Sequence, residues 1–155
     1  MDMLQRIQTL YILIACALFS MIFYIDFADI LIDKQFFYRF NIFGILAEEA
    51  GAEIIVNTTP LIILSTVTIL AMIIGIFIFK NRVLQIRLLN ITIFFLIGIY
   101  IMFGFYFYKL YTNLDIVVHY SFVLVIPLIS IILLIIAKRY VKKDEELVKS
   151  VDRIR

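Results

Sequence analysis

Asp115 and His119 stand four residues apart, the spacing that sets two side chains on one face of a helix. An imidazole held by a carboxylate can pass a proton near neutral pH, so this pair is the chain's one candidate for acid–base chemistry. It has little company. A metal site needs three or four ligands, yet His119 is the single histidine and Cys16 the single cysteine. The sequence contains no glycine-rich phosphate loop, nucleophile motif or carboxylate pair inside an apolar run. A histidine at a membrane boundary accounts for His119 with fewer assumptions. The residues therefore predict no enzyme, no metal and no cofactor.

The elements that would carry such residues are four apolar runs, about Ile7–Ile25, Thr58–Phe79, Leu88–Tyr108 and Val117–Ala137. Each is close to the ~20 residues with which a helix crosses ~30 Å of hydrocarbon. Hydrophobic residues make up 65% of the chain and charged ones 17%, and the mean hydropathy is +1.09; soluble domains sit near half and a quarter. The runs are apolar on every face, and four such helices cannot all be central in so short a chain. Lipid is the solvent that fits. Arg6 and the first run would suit a secretory signal, but Ile25-Asp26-Phe27 closes the run with no small-x-small site, so a retained span is expected. Small residues four apart, Cys16 with Ser20 and Ala71 with Gly75, would let spans approach closely.

Cations give the orientation. Arg6, then Lys80, Arg82 and Arg87, then Lys138, Arg139, Lys142, Lys143, Lys149, Arg153 and Arg155 fall on one side of the alternating runs. Only Lys34, Arg39 and Lys109 fall on the other. The positive-inside rule puts the first group, and both termini, in the cytoplasm. The outer loop 26–57 adds Asp26, Asp29, Asp33, Glu48, Glu49 and Glu53 against two cations, which agrees.

Local signals set the boundaries. Thr58-Thr59-Pro60 opens the second span, with a capping hydroxyl and a proline suited to a first helical turn. Aromatics from Tyr100 to Tyr108 close the third, as an interfacial belt does. Pro127 is expected to kink the fourth. The outer loop is too aromatic at Phe36-Phe37-Tyr38-Arg39-Phe40 to be solvated coil, and a short amphipathic helix over Ile42–Ile55 is predicted from the stripe Ala47, Ala50, Ile54. In the tail, Tyr140, Val141, Leu147, Val148, Val151 and Ile154 span an arc of about 140° on a helical wheel. Such a helix meets anionic head groups or a cytoplasmic partner.

Three blocks resemble a known family: Met3-Leu4-Gln5-Arg6-Ile7-Gln8-Thr9-Leu10-Tyr11 at the start, Lys80-Asn81-Arg82-Val83-Leu84-Gln85-Ile86-Arg87-Leu88 between the middle runs, and Val141 through Arg155 at the end. Together they resemble the small four-span inner-membrane proteins of Bacteroidota classed as a domain of unknown function. The resemblance implies a bacterial inner-membrane protein with four spans, and it brings no catalytic residues. All three blocks lie on the face assigned to the cytoplasm. Gln5, Arg6 and Gln8, then Arg82, Gln85 and Arg87, then Lys142, Lys143, Asp144, Glu145, Glu146, Lys149, Asp152 and Arg153 would meet there as one polar platform. Its arginines and glutamines can cap helix-end carbonyls or pair with the acidic residues of the tail.

The expected fold is thus an all-α, four-helix transmembrane bundle, up-down-up-down, over residues 1–137, with an amphipathic cytoplasmic helix over 138–155. The expected role is a non-enzymatic accessory, assembly or scaffold subunit working through a membrane or cytoplasmic protein partner, with no nucleic acid involved. A homo-oligomer is compatible with the spans, though no contact motif demands one. The alternative is a small transporter or lipid-handling protein with a path near Pro127 and Gly98/Gly104.

Overall fold

Two segments read as loop and span edge are strands. The computed structural model describes residues 2–32, 36–47, 54–79, 81–113 and 116–152. After helix α1 (Asp2–Ser20) and a 3-10 turn at Met21–Phe23, the chain forms β1 (Ala28–Ile32), β2 (Phe36–Asn41), β3 (Gly44–Ala47) and β4 (Ile54–Asn57). A fifth strand, β5 (Ile116–Tyr120), comes from the connection between the last two helices. The five make one antiparallel sheet in the order β4-β3-β2-β1-β5.

The sheet follows from local chemistry that the helical reading overlooked. Asn41 Oδ1 accepts hydrogen bonds from the Phe43 and Gly44 amides at 3.0 and 3.2 Å, an Asx turn. Gly44 sits at φ 152°, a value glycine reaches without a Cβ penalty. That turn folds β3 onto β2, so strands stand at both ends of the expected helix Ile42–Ile55. Ala47 is the last residue of β3 and Ile54 the first of β4, while Ala50 lies outside the described residues. Cross-strand pairing aligns Ala28 with Phe40 and Tyr120, and Phe40 with Ile45. Partners across a ladder share a face, and Ala28, Phe40 and Ile45 on it are buried. The opposite face carries the row Arg39, Asp29 and His119.

Helices α2 (Thr59–Phe77), α3 (Arg82–Asn113) and α4 (Ile126–Asp152) complete the chain. Each of α1 and α3 packs against both α2 and α4. Their directions alternate, because Gly75 meets Gln85, Arg82 meets Asp144 and Tyr11 meets Tyr140. The sheet therefore lies at one end of the bundle. The α2–α3 turn, the start of α1 and the end of α4 lie at the other, called here the terminal end. Three helical stretches, Thr59–Phe77, Arg82–Tyr111 and Phe122–Glu146, are long and apolar enough to cross a membrane. The apolar part of α1, Ile7–Phe23, is shorter. At most a third of each long stretch is buried inside the chain (33, 28 and 33%), so the rest is an apolar exterior of the kind a bilayer covers.

The core seam has a regular period. Buried positions on α3 run Gln85, Leu89, Thr92, Leu96, Ile99, Phe103, Tyr106, Leu110, and those on α4 include Ser130, Leu134, Ala137, Val141, Asp144. Gln8, Ile12, Ala15 and Phe19 do the same on α1. Alternating steps of three and four residues are the heptad period, which keeps one seam facing its neighbours along the whole bundle.

Two boundary expectations change. Pro127 is the second residue of α4, where its missing amide hydrogen leaves no helical bond unmade, so it starts the helix rather than kinking it. The tail is no separate element: α4 runs unbroken past Ala137 to Asp152. Pro60 does lie in the first turn of α2. The Thr58 hydroxyl, however, donates to the Ile42 carbonyl at 2.6 Å and ties the β2–β3 turn to the helix, while Asn57 Oδ1 accepts from the Thr59 amide at 2.9 Å.

Candidate functional site at the terminal end of the bundle

At the terminal end the heptad seam turns polar. Its last buried positions are Gln8 on α1, Gln85 on α3 and Asp144 on α4, at 0, 0 and 1% exposure. Local chemistry fixes where these side chains stand. Asn81 caps α3, with Oδ1 accepting from the Leu84 amide at 3.2 Å. That sets Arg82 and Gln85 on the first turn of α3. The stacked rings of Tyr11 and Tyr140, 5.7 Å apart and 11° from parallel, bring α1 and α4 level. Gln8 lies about one turn beyond Tyr11 and Asp144 about one turn beyond Tyr140, both toward the terminal end.

Two contacts tie this layer together. Arg82 Nε donates to Asp144 Oδ2 at 2.6 Å, with Arg82 20% exposed. This is a short, charge-assisted bond between α3 and α4. Gln85 Nε2 donates to the Gly75 carbonyl at 2.9 Å. Gly75 is in the last turn of α2, so the amide satisfies one of the four carbonyls that a helix end leaves open. Other polar atoms in the layer have no partner among the described residues: both amide atoms of Gln8, Oε1 of Gln85 and Oδ1 of Asp144. Burying such groups costs about 1–3 kcal/mol each. A buried ion pair is likewise weak support for stability, and its best-attested use is to fix register. Removing Arg82 would leave the buried Asp144 carboxylate without its counter-charge.

A family model matches residues 4–154. The chain belongs to DUF4293, a domain of unknown function. No curated protein matches it. The DUF4293 match covers nearly all of the three blocks on which the resemblance rested.

Of the platform residues of this DUF4293 chain, Arg82 and Asp144 meet directly, Gln85 reaches α2 instead, and Gln8 is enclosed. Arg87 is exposed and stands about 200° round α3 from Gln85, away from the layer. Lys142 and Lys143 are exposed on α4, and Lys142 Nζ lies 3.9 Å from Glu146 Oε1 in an open pair of little energetic weight. Glu145 is half-buried and engaged in an interaction of its own. Gln5 and Arg6 lie on α1, and Lys149 and Asp152 on α4, with side chains outside the described residues, as is all of Arg153.

The other candidates separate. His119 sits on strand β5 opposite Asp29, not on a helix, and Asp115 lies outside the described residues. Among the described residues no group of three or more metal-ligating side chains comes together. Gly98 packs against α2, where an added Cβ would come 3.4 Å from Leu64, whereas Gly104 has nothing within 4 Å and Pro127 starts α4. Sequence reasoning missed the Tyr11–Tyr140 stack, the Gly75 carbonyl as acceptor and the Ser130 hydroxyl, which approaches the Ala15 carbonyl at 3.4 Å. The signal for the first was present: Tyr140 and Val141 continue the apolar stripe of the tail onto the seam.

Proposed function

We propose that this protein is a non-enzymatic inner-membrane protein whose four helices all cross the bilayer, with both termini cytoplasmic, and that it acts as an accessory or assembly subunit through a partner at its terminal end. The cation distribution supports that orientation, and the three long apolar helices support the membrane setting. The observation that carries the reading is the continuity of α4. Its apolar part becomes a charged helix without a break, and the Arg82–Asp144 bond anchors the junction to α3. A helix held rigidly at its base presents Lys142, Lys143 and Glu146 in a fixed arrangement, which lowers the ordering cost of binding. Gln8, Gln85 and Asp144 stiffen this base from within, and the exposed residues beyond them form the contact surface. Anionic head groups neutralise whatever part of that basic surface the partner leaves free.

The test is affinity purification of the full chain from native membranes in mild detergent. Wild type retains a defined protein partner, and Lys142→Glu with Lys143→Glu releases it while the protein still inserts and folds. Retention of the same partner by the charge-reversed variant, or purification of the wild type with lipid alone, would defeat the reading.

A further inference from the structure

A groove of about 480 Å³ opens between α1 and α2 at the sheet end. We propose that it holds one acyl chain of a phospholipid from the leaflet on that side. The inference rests on the reading of α1 and α2 as membrane spans.

The walls are largely apolar. Ser20, Phe23 and Tyr24 line one side, Thr66, Ile69 and Leu70 the other, and Phe43 from the tip of the β2–β3 turn closes the top. None is charged. The two aliphatic hydroxyl protons are already spent within their own helices: Ser20 Oγ donates to the Ala17 carbonyl at 2.7 Å and Thr66 Oγ1 to the Ile62 carbonyl at 2.8 Å. Apolar space of this kind holds water poorly and takes hydrocarbon well, and the volume lies within the ~300–1,000 Å³ of small-molecule sites.

Its origin and depth point to a lipid chain. The apolar part of α1 ends at Phe23, where the helix tightens into the 3-10 turn and the chain leaves toward β1. Phe23 and Tyr24 face Thr66, Ile69 and Leu70 across the groove, so α1 stops short of the first turns of α2 and leaves a notch there, the kind of gap that a bilayer must fill. Leu70 lies about 16 Å below the first residue of α2 at ~1.5 Å per residue, and one leaflet contributes ~15 Å of hydrocarbon. Aromatic rings stand at the mouth, with Tyr24 88% and Phe43 54% exposed, where ring and head group share the interface. The groove is also continuous with the exterior a bilayer would cover. Leu70 belongs to the exposed stripe Ile63, Val67, Leu70, Ile74 and Phe77 of α2.

The experiment uses the full chain in phosphatidylethanolamine–phosphatidylglycerol nanodiscs doped with a phosphatidylethanolamine carrying a diazirine midway along one acyl chain. After photolysis, adducts are mapped by mass spectrometry. Adducts on 20–24 and 66–70 are expected to exceed those on the exposed α3 stripe around Phe94, Ile101 and Phe105 at least threefold. Thr66→Trp, which fills the groove from an exposed position, should lower the groove adducts to the α3 level and leave the α3 adducts unchanged; Leu70→Trp provides the same test from the deep end. Equal labelling of groove and α3 stripe means annular contact only and overturns the proposal, as does labelling that neither tryptophan reduces. Groove protection together with a photocrosslinked dimer assigns the groove to a second copy and overturns it too. If the α3 stripe also stays unlabelled, the membrane reading itself fails, a result distinct from all the others.

Discussion

The two ends of the bundle are held by different physics. At the sheet end Phe40 meets Phe27, Tyr106 and Phe107 edge to face, with centroids 5.2, 6.0 and 5.4 Å apart, and Phe27 meets Phe103 at 4.9 Å. Several rings share that load, and each pair adds roughly 0.5–1.5 kcal/mol beyond the area it buries. At the terminal end single atoms decide: one guanidinium nitrogen on one carboxylate oxygen, one amide on one carbonyl. A shared apolar layer sets how stable the fold is. A directional polar layer can instead select one arrangement of helices, at some cost in stability.

The largest effect expected is Phe40→Ala. Phe40 is fully buried between sheet and α3, so truncation costs about 3–5 kcal/mol. Equilibrium unfolding in detergent micelles would measure it, and far-ultraviolet circular dichroism should show the helices largely retained while the sheet end loosens. A cost under about 1 kcal/mol would mean that the neighbouring rings close the gap, and that this end is more plastic than the comparison holds.

Arg82→Ala tests the other end. It leaves the Asp144 carboxylate buried without its counter-charge, a change worth about 3–5 kcal/mol for fully buried pairs; because Arg82 is 20% exposed, the lower figure applies. Arg82→Met combined with Asp144→Leu removes both charges and should recover most of the loss, and the exchange Arg82→Asp with Asp144→Arg should recover part of it. Strict additivity in either double mutant would show that the pair does not act as a unit.

Those two residues also show how much the sequence makes legible. The long apolar helices and the uneven placement of cations can be read directly, because length and composition are local properties. The sheet cannot. Phe36-Phe37-Tyr38-Arg39-Phe40 is apolar on both faces of its strand, which hides the period of two. Val117-Val118-His119-Tyr120 merges with the apolar run behind it, so strand and helix read as one span. Their pairing joins β1 to β5 across most of the chain, and no local window contains it. The terminal layer lies between these cases. Gln8, Gln85 and Asp144 are recognisable as polar residues at helix ends, but their burial depends on seam position. Asp144 stands three after Val141 and seven after Ala137, a spacing that places it inside.

Gln8→Leu sharpens the same comparison with the opposite sign. Neither amide atom of Gln8 has a partner among the described residues, so an apolar side chain of similar size removes a desolvation cost without losing a bond. The expected result is a stabilisation of about 1–3 kcal/mol, accompanied by weaker discrimination between helix arrangements, visible as broader signals from the terminal end in nuclear magnetic resonance spectra. A destabilisation of that size would mean that the amide is bonded in the bilayer and that the layer is better satisfied than its geometry indicates.

The smallest effect belongs to an exposed polar link at the sheet end. Tyr111 and Tyr120 share a hydrogen bond at 2.9 Å, joining the end of α3 to β5. The hydrogen bond to Tyr111 raises the Tyr120 phenol above its ordinary value of 10.0, with burial and the charge of a neighbouring tyrosinate adding to it. A raised value means that the folded protein holds this proton more tightly than the unfolded chain. The contribution is therefore complete below pH 10.0 and is lost as pH climbs through the folded value. Tyr111→Phe should bring the Tyr120 midpoint down toward the ordinary value while costing no more than about 0.5 kcal/mol, since both hydroxyls are open to solvent. Nine tyrosines absorb together, so the midpoint must be read from the ring-carbon resonance of Tyr120 alone. An unmoved midpoint would show that the hydroxyls do not meet, leaving the edge-to-face contact of Tyr120 with Phe107 at 5.2 Å as the link between strand and helix. That outcome would make the attachment of β5 to α3 apolar and the contrast with the terminal end sharper.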